Sequence, residues 1–293
     1  MANTPPGSDL YTSQVDPSKT TLFSKEQSGI IYRIPALIYI NDGQTFLAFA
    51  EKRTSAKDHD ATLLVMRRGK RQNGSIQELS TASLPGYRTM NPCPVYERQS
   101  KTLFLFFICV LGKISEHNQI HTGKNKARLC YITSKDSGLN WSSVVDLTIS
   151  VIGDEIINWA TFAVGPGHGI QMKSGRLIIP AYVYYIHYRC FLFHFPLIVK
   201  PHAFAFYSDD CGTTWYFGER VSVESCECEM AEIVNQESRS ELYCNARSAN
   251  GHRVEAFSES SGTSFDRPHF AQKLVEPCNG CQGSLDCVQV ILD

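Results

Sequence analysis

Ser134-Lys-Asp136-Ser-Gly138-Leu-Asn-Trp141 and Ser208-Asp-Asp210-Cys-Gly212-Thr-Thr-Trp215 are two copies of one pattern, S-x-D-x-G-x-x-W. A third and degraded copy runs from Ser258 to Phe265, with Ser260 in place of the Asp and Phe265 in place of the Trp. The pattern has the chemistry of a tight hairpin. An Asp carboxylate accepts bonds from the backbone N–H groups of its own turn. The Gly permits a positive φ, and the Trp packs into a stack of sheets. Strand-like residues precede the first two copies, at 129–133 and 203–207. The motif is therefore expected to build structure, not to catalyse.

Working outward, 29–40 (GIIYRIPALIYI) is β-branched and aromatic, 103–110 (LFLFFICV) reads as a strand buried on both faces, and 202–207 alternates small and aromatic residues. No long segment has a 3.6-residue period, so the chain reads as all-β. Repeated hairpins of this kind point to a β-propeller. The copies begin at 134, 208 and 258, a mean spacing of about 62 residues, which gives about 4.7 blades if each copy marks one. A ring must close or leave sheet edges exposed.

Composition narrows the function. The chain has 293 residues, is 43% hydrophobic and 19% charged, and carries 28 Lys and Arg against 29 Asp and Glu. This balance argues against nucleic acid as the main partner, so any anion must be met by a few placed cations. The Pro/Ser/Thr-rich residues 1–21 read as a loose leader without a signal peptide. The eleven Cys are expected to be reduced thiols; the single CxxC, Cys278 and Cys281, is weak grounds for a zinc site. No metal or other cofactor is expected. The apolar stretch 178–199 is long enough to span a bilayer but holds Pro180, His187, Arg189, His194 and Pro196. It reads better as a buried strand followed by an apolar loop that can touch a lipid surface.

Two charged features stand out. Arg33 is the only charge in 29–40, and a charge on a largely buried strand requires an ion-pair partner or an anionic ligand. The run from Glu51 to Asp58 directly follows a strand expected at 45–50, which places its charges at a loop rim; a solvated charge run is the alternative.

Tyr-Arg-Ile-Pro at 32–35, followed by these repeats, resembles the exo-sialidase superfamily. FLAFAEKR (46–53), RTMNPCPVYE (88–97), WATFAVGPGHGIQ (159–171), RLIIPAYVYY (176–185), LYCNARS (242–248) and EPCNGCQGS (276–284) resemble the animal sialidases, above all their plasma-membrane, ganglioside-cleaving branch. The resemblance covers roughly residues 22–285 and implies a six-bladed propeller that removes terminal sialic acid from gangliosides, other glycolipids, glycoproteins and oligosaccharides. It also implies peripheral contact with the plasma membrane, or a cytoplasmic, endosomal or lysosomal-membrane location.

Site roles follow from the same resemblance. Arg33 and Arg247 match two members of a triad that grips the sialic acid carboxylate, and Arg53 matches a further arginine near the pocket. Asp58 matches the general acid/base. Glu227 matches the carboxylate that activates a nucleophilic tyrosine, with Glu229 and Glu232 as close neighbours in sequence. Tyr182 and Tyr184 match aromatics that shape the pocket, strand packing being the alternative for Tyr184. Glu51, Asn91 and Glu116 match pocket positions. A neutral phenol as nucleophile avoids repulsion by the substrate's own carboxylate. The third arginine and the tyrosine lie, in the family, beyond CQGS, where this sequence turns to LDCVQVILD. A truncated sialidase of doubtful activity, with the last blade or so missing, is the expectation, and a non-catalytic sialoside-binding or regulatory fragment is the alternative.

Overall fold

The computed structural model describes residues 21–69, 73–188, 197–234 and 239–285. The expected leader, except for Thr21, falls outside the described residues, as do Arg189, His194 and Pro196 of the apolar stretch and the divergent residues 286–293.

The strands form four antiparallel sheets that follow one another along the chain. Blade 1 is β1 (Ile31–Ile40), β2 (Thr45–Arg53), β3 (Ala61–Gly69) and β4 (Asn73–Glu78). Blade 2 is β5 (Tyr87–Glu97), β6 (Thr102–Leu111), β7 (Ala127–Ser134) and β8 (Val145–Asp146). Blade 3 is β9 (Trp159–Val164), β10 (Ile170–Gln171), β11 (Leu177–Tyr188), β12 (Ile198–Ser208) and β13 (Tyr216–Phe217). Blade 4 is β14 (Cys228–Val234), β15 (Ser240–Ala246), β16 (His252–Ser258) and β17 (Asp266–Val275). In blade 3, β9 and β10 share one edge of β11, so the blade keeps the four-strand meander of the others. The reading of an all-β propeller holds, with one seven-residue helix, α1 (Glu116–Thr122), inserted in blade 2.

The repeated motif does what its chemistry predicts. Asp136 Oδ1 accepts from Leu139 N (3.0 Å) and Asn140 N (2.8 Å), and Asp210 Oδ1 accepts from Thr213 N (3.1 Å) and Thr214 N (2.8 Å). In the degraded copy Ser260 Oγ accepts from Ser264 N (2.9 Å). The three glycines have φ of +84, +85 and +92°, and the residue before each is also left-handed, a second reversal that the pattern does not announce.

The motif also joins blades. Trp141 sits edge-on to Phe49 of blade 1, and Trp215 sits edge-on to Phe104 and Phe106 of blade 2. Phe265 packs on a core that holds Ile178, Ala203 and Ala205 of blade 3. Each turn lies between the third and fourth strands of its own blade and fastens it to the blade before. Blade 1 has no copy, so the motif spacing counts only three of the four blades.

The first strands carry the kinks that aim side chains at the hub. β1 has a bulge between Arg33 and Ala36, with Ile34 at φ +55°, and β5 has one between Met90 and Cys93, with Asn91 at φ +58°. Such bulges break the pleat and redirect neighbouring side chains. β1 is largely half-exposed, which corrects the expectation of a buried strand around Arg33. β2 runs three residues further than expected, to Arg53, and Glu51 and Arg53 are fully buried. They are therefore not on a loop rim.

Gly212 tests the blade-joining role. A Cβ at Gly212 would lie 2.3 Å from Phe104 Cζ, whereas Gly175, also left-handed, faces open space. Gly212→Ala should destabilise the fold by about 2–4 kcal/mol and Gly175→Ala by about 1 kcal/mol, read from denaturant unfolding midpoints.

Candidate functional site

The centre is built around one guanidinium. Arg53 Nε donates to Glu51 Oε2 at 2.7 Å, Nη2 donates to the same oxygen, and Nη1 donates to Asp58 Oδ1 at 2.5 Å. Glu51 Oε1 accepts the backbone N–H of Asn91 at 2.8 Å, a bond that the kink in β5 makes possible. Burial pushes the Glu51 carboxyl up to about 7, against the pull of Arg53 and the Asn91 N–H. Glu51, Arg53 and Asn91 are thus matched as pocket residues but are all buried. Through Arg53, Glu51 and the Asn91 N–H fix Asp58 from behind.

Asp58 stands at the end of this array with its side chain 54% exposed. Arg33 Nη1 lies 3.7 Å from Asp58 Oδ1 and donates to the Ala56 carbonyl at 3.0 Å. Nearly half of the Arg33 side chain is exposed, and it borders a cavity of about 790 Å³ at the hub. The walls of that cavity include β1, Gly167, His168 and Glu229.

A second wall, bordering a smaller cavity, comes from blade 4. Arg247 Nη1 donates to Glu227 Oε2 at 2.8 Å, while Nε and Nη2 donate to the Asn279 carbonyl at 3.1 and 3.0 Å. Backbone bonds from Cys226 N to Arg247 O and from Arg247 N to Glu227 O, both 2.8 Å, fix the pair across β14 and β15. A guanidinium has five N–H groups. Three are used, and the two that remain, one each on Nη1 and Nη2, suit the two oxygens of a carboxylate.

Glu116, at the start of α1, joins the two walls. Ser115 caps the helix by accepting Asn118 N at 3.1 Å. The Glu116 carboxyl is pushed up to about 7 by burial and then by the Glu227 and Asp58 carboxylates, with the Tyr182 hydroxyl and Arg247 opposing. Glu116 is thus within electrostatic reach of Asp58 of blade 1 and of Glu227 and Arg247 of blade 4. Tyr182 donates to Glu116 Oε1 at 3.4 Å, and burial pushes its phenol well up. Tyr184 stacks edge-on to Tyr182 and borders a second cavity, about 120 Å³, with Arg247 and Asn279. Its ring is half-buried, so it serves both the packing and the pocket.

The three neighbouring glutamates separate cleanly. Glu227 pairs with Arg247, Glu229 is buried at the hub and accepts Leu285 N, and Glu232 accepts Lys173 N at 2.8 Å. Two supporting residues escaped the sequence reading. Arg88 donates to the carbonyls of Gly112 and Ile114 at 2.7 and 2.8 Å, fixing the loop that leads to α1. Asn279 orients Arg247 through its backbone carbonyl, an action that side-chain identity does not reveal. Arg88 did carry a signal, as the one cation in the strand-forming stretch 87–97. Among the described residues no cluster of three or more metal-ligating side chains occurs.

The bladed all-β scaffold agrees with what known proteins show. Residues 44–288 match the BNR repeat-like domain. The chain is 54% identical over 271 residues to Sialidase-3 of Bos taurus, covering 90% of this chain and 63% of that one. It is 47% identical over 276 residues to Sialidase-2 of Cricetulus griseus, covering 91% and 70%. A Hadza microbial sialidase superposes with a TM-score of 0.67 at 20% identity, covering 84% of this chain and 48% of that one, a likeness of fold. The chain belongs to the animal sialidase family. It spans a little under two thirds of the length of the Sialidase-3 relative.

The raised Glu116 carboxyl has a measurable signature. In the fold it holds its proton up to about 7, above its ordinary 4.5, so the folded chain binds more protons than the unfolded chain between these values. Its contribution to stability is full below about pH 4.5 and is lost as pH rises through about 7. Glu116→Gln should flatten that part of the stability profile, measured by urea unfolding at a series of pH values.

Proposed function

We propose that the chain carries the substrate-gripping and acid/base side of an exo-α-sialidase centre. Its substrate class is terminal sialic acid on gangliosides, other glycolipids, glycoproteins and oligosaccharides. Arg33 and Arg247 hold the sugar carboxylate, and the remaining edge of the Arg247 fork suits two parallel charge-assisted bonds. Asp58 protonates the leaving oxygen and then takes a proton from water. Tyr182 and Tyr184 flank the sugar. What supports this reading is that each of the two water-accessible arginines is set beside a carboxylate, Arg33 Nη1 3.7 Å from Asp58 Oδ1 and Arg247 Nη1 2.8 Å from Glu227 Oε2. The reading includes a six-bladed ring to which the four described blades contribute.

One observation favours the alternative of a binding fragment. Glu227 is paired with Arg247, and among the described residues no tyrosine hydroxyl is bonded to it. Without such a phenol, turnover by the 293-residue chain is expected to fall several orders of magnitude short of a complete centre.

Calorimetry with sialic acid beside turnover of a fluorogenic α-sialoside separates the readings. Arg33→Ala and Arg247→Ala should each weaken binding by about tenfold or more, the value of a charged hydrogen bond. Asp58→Asn should retain binding and remove any residual turnover. A chain that binds no sialic acid overturns the proposal, and a robust rate overturns the expected deficit.

Peripheral membrane contact is part of the same proposal. Among the described residues no helix is long and apolar enough to cross a membrane. Tyr188 and Ile198 are exposed large hydrophobic residues on either side of 189–196. Flotation with ganglioside-containing vesicles should carry the chain upward, and substituting Ser at both positions should weaken this.

A further inference from the structure

The Cys278-Asn279-Gly280-Cys281 turn lies against the arginine assigned to the substrate carboxylate. Gly280 N donates to the Pro277 carbonyl at 2.8 Å, closing a β-turn with Asn279 at φ +66°, and Gly280 follows at φ +69°. The turn so closed spans 277–280, and the two consecutive left-handed residues, Asn279 and Gly280, reverse the chain between the cysteines. A disulfide accepts Cα separations of about 4.4–6.8 Å. Among the described residues Cys278 and Cys281 are also the two exposed cysteines, while seven others are buried or half-buried.

The turn cannot change without Arg247 registering it. The Asn279 carbonyl takes two of the arginine's N–H groups. A Cβ on Gly280 would lie 2.4 Å from the Ser248 carbonyl oxygen and 2.8 Å from Arg247 Cγ, so the turn is seated directly on the 247–248 backbone and side chain. Its far end is tied as well. Cys281 N donates to Glu276 Oε2 at 2.9 Å, and the Cys281 carbonyl accepts Arg253 Nη1 at 2.8 Å. The cysteine side chains are left for chemistry while the backbone between them orients the guanidinium.

We propose that Cys278 and Cys281 form a reversible dithiol–disulfide pair that tunes carboxylate binding through Asn279 and Arg247. The oxidant is a low-molecular-weight disulfide such as oxidised glutathione. One thiolate attacks a sulfur of that disulfide, giving a mixed disulfide and releasing one reduced thiol. The second cysteine, as thiolate, then attacks the protein-side sulfur and releases the other. The two cysteines lose two electrons and two protons, and the small disulfide is reduced to two thiols. Closing the ring narrows the conformations open to the turn. The Asn279 carbonyl then holds Arg247 in its binding orientation, and less ordering remains when a carboxylate arrives. Ordering one long side chain costs about 0.5–1.5 kcal/mol, so the oxidised form should bind sialic acid about 2- to 10-fold more tightly than the reduced form.

This inference deepens the proposed function and rests on it, but its chemistry can be tested without a sugar. The full chain is equilibrated in glutathione buffers of graded ratio and then alkylated. Intact mass and peptide mapping should show a 278–281 disulfide forming as the buffer becomes oxidising. Calorimetry with sialic acid is then run on the oxidised and reduced forms, and on Cys278→Ser and Cys281→Ser. Each serine variant should lose the redox response and keep the affinity of the reduced form. Failure to form the 278–281 disulfide, or equal or weaker binding by the oxidised form, overturns the inference. Disulfide formation in a chain that binds no sialic acid in either state overturns the proposed function and with it the coupling, and leaves the thiol chemistry standing.

Discussion

A guanidinium with no access to water has to be matched where it lies, and Arg53 is such a group. Removing a charge from water costs several kcal/mol unless opposite charge and hydrogen bonds replace the lost solvent. Glu51 supplies the buried counter-charge and Asp58 the half-exposed one. A three-residue extension of β2 and a kink in β5 give that array its shape. Asp58 is therefore a half-exposed carboxylate whose position is fixed from behind.

On the other side of the space, blade 4 solves a similar problem with different means. Arg247 lies closer to the surface, and its neighbours are one carboxylate and one backbone carbonyl. Half-buried Glu116 stands at the start of a capped helix turn and accepts a bond from the Tyr182 hydroxyl of blade 3.

Much of the fold was legible because its signals are local. Asp136 and Asp210 bond within four residues of themselves, so a short pattern is enough to specify each turn. The site was harder to read because its logic is non-local. Arg53 reads as one more charge in a run until β2 is seen to carry it inward. Asn279 acts through a backbone carbonyl, which any residue would supply, and its effect depends on where the turn is seated. Glu227 cannot be told from Glu229 by spacing, since the distinction lies in their partners, Arg247 for the one and Leu285 N for the other. Resemblance supplied Arg33, Asp58 and Arg247, and the geometry supplied the carboxylate or carbonyl that each of them meets.

The direction of the aromatic fastenings has a consequence for motion. Each of the three motif turns reaches back to the preceding blade, so a blade is secured by its successor more than it secures it. Blades 1, 2 and 3 each receive one such fastening, from Trp141, Trp215 and Phe265 in turn. Amide exchange in each of these sheets should therefore quicken when the aromatic of the following blade is cut back. Breathing of a sheet and packing of its successor become linked quantities.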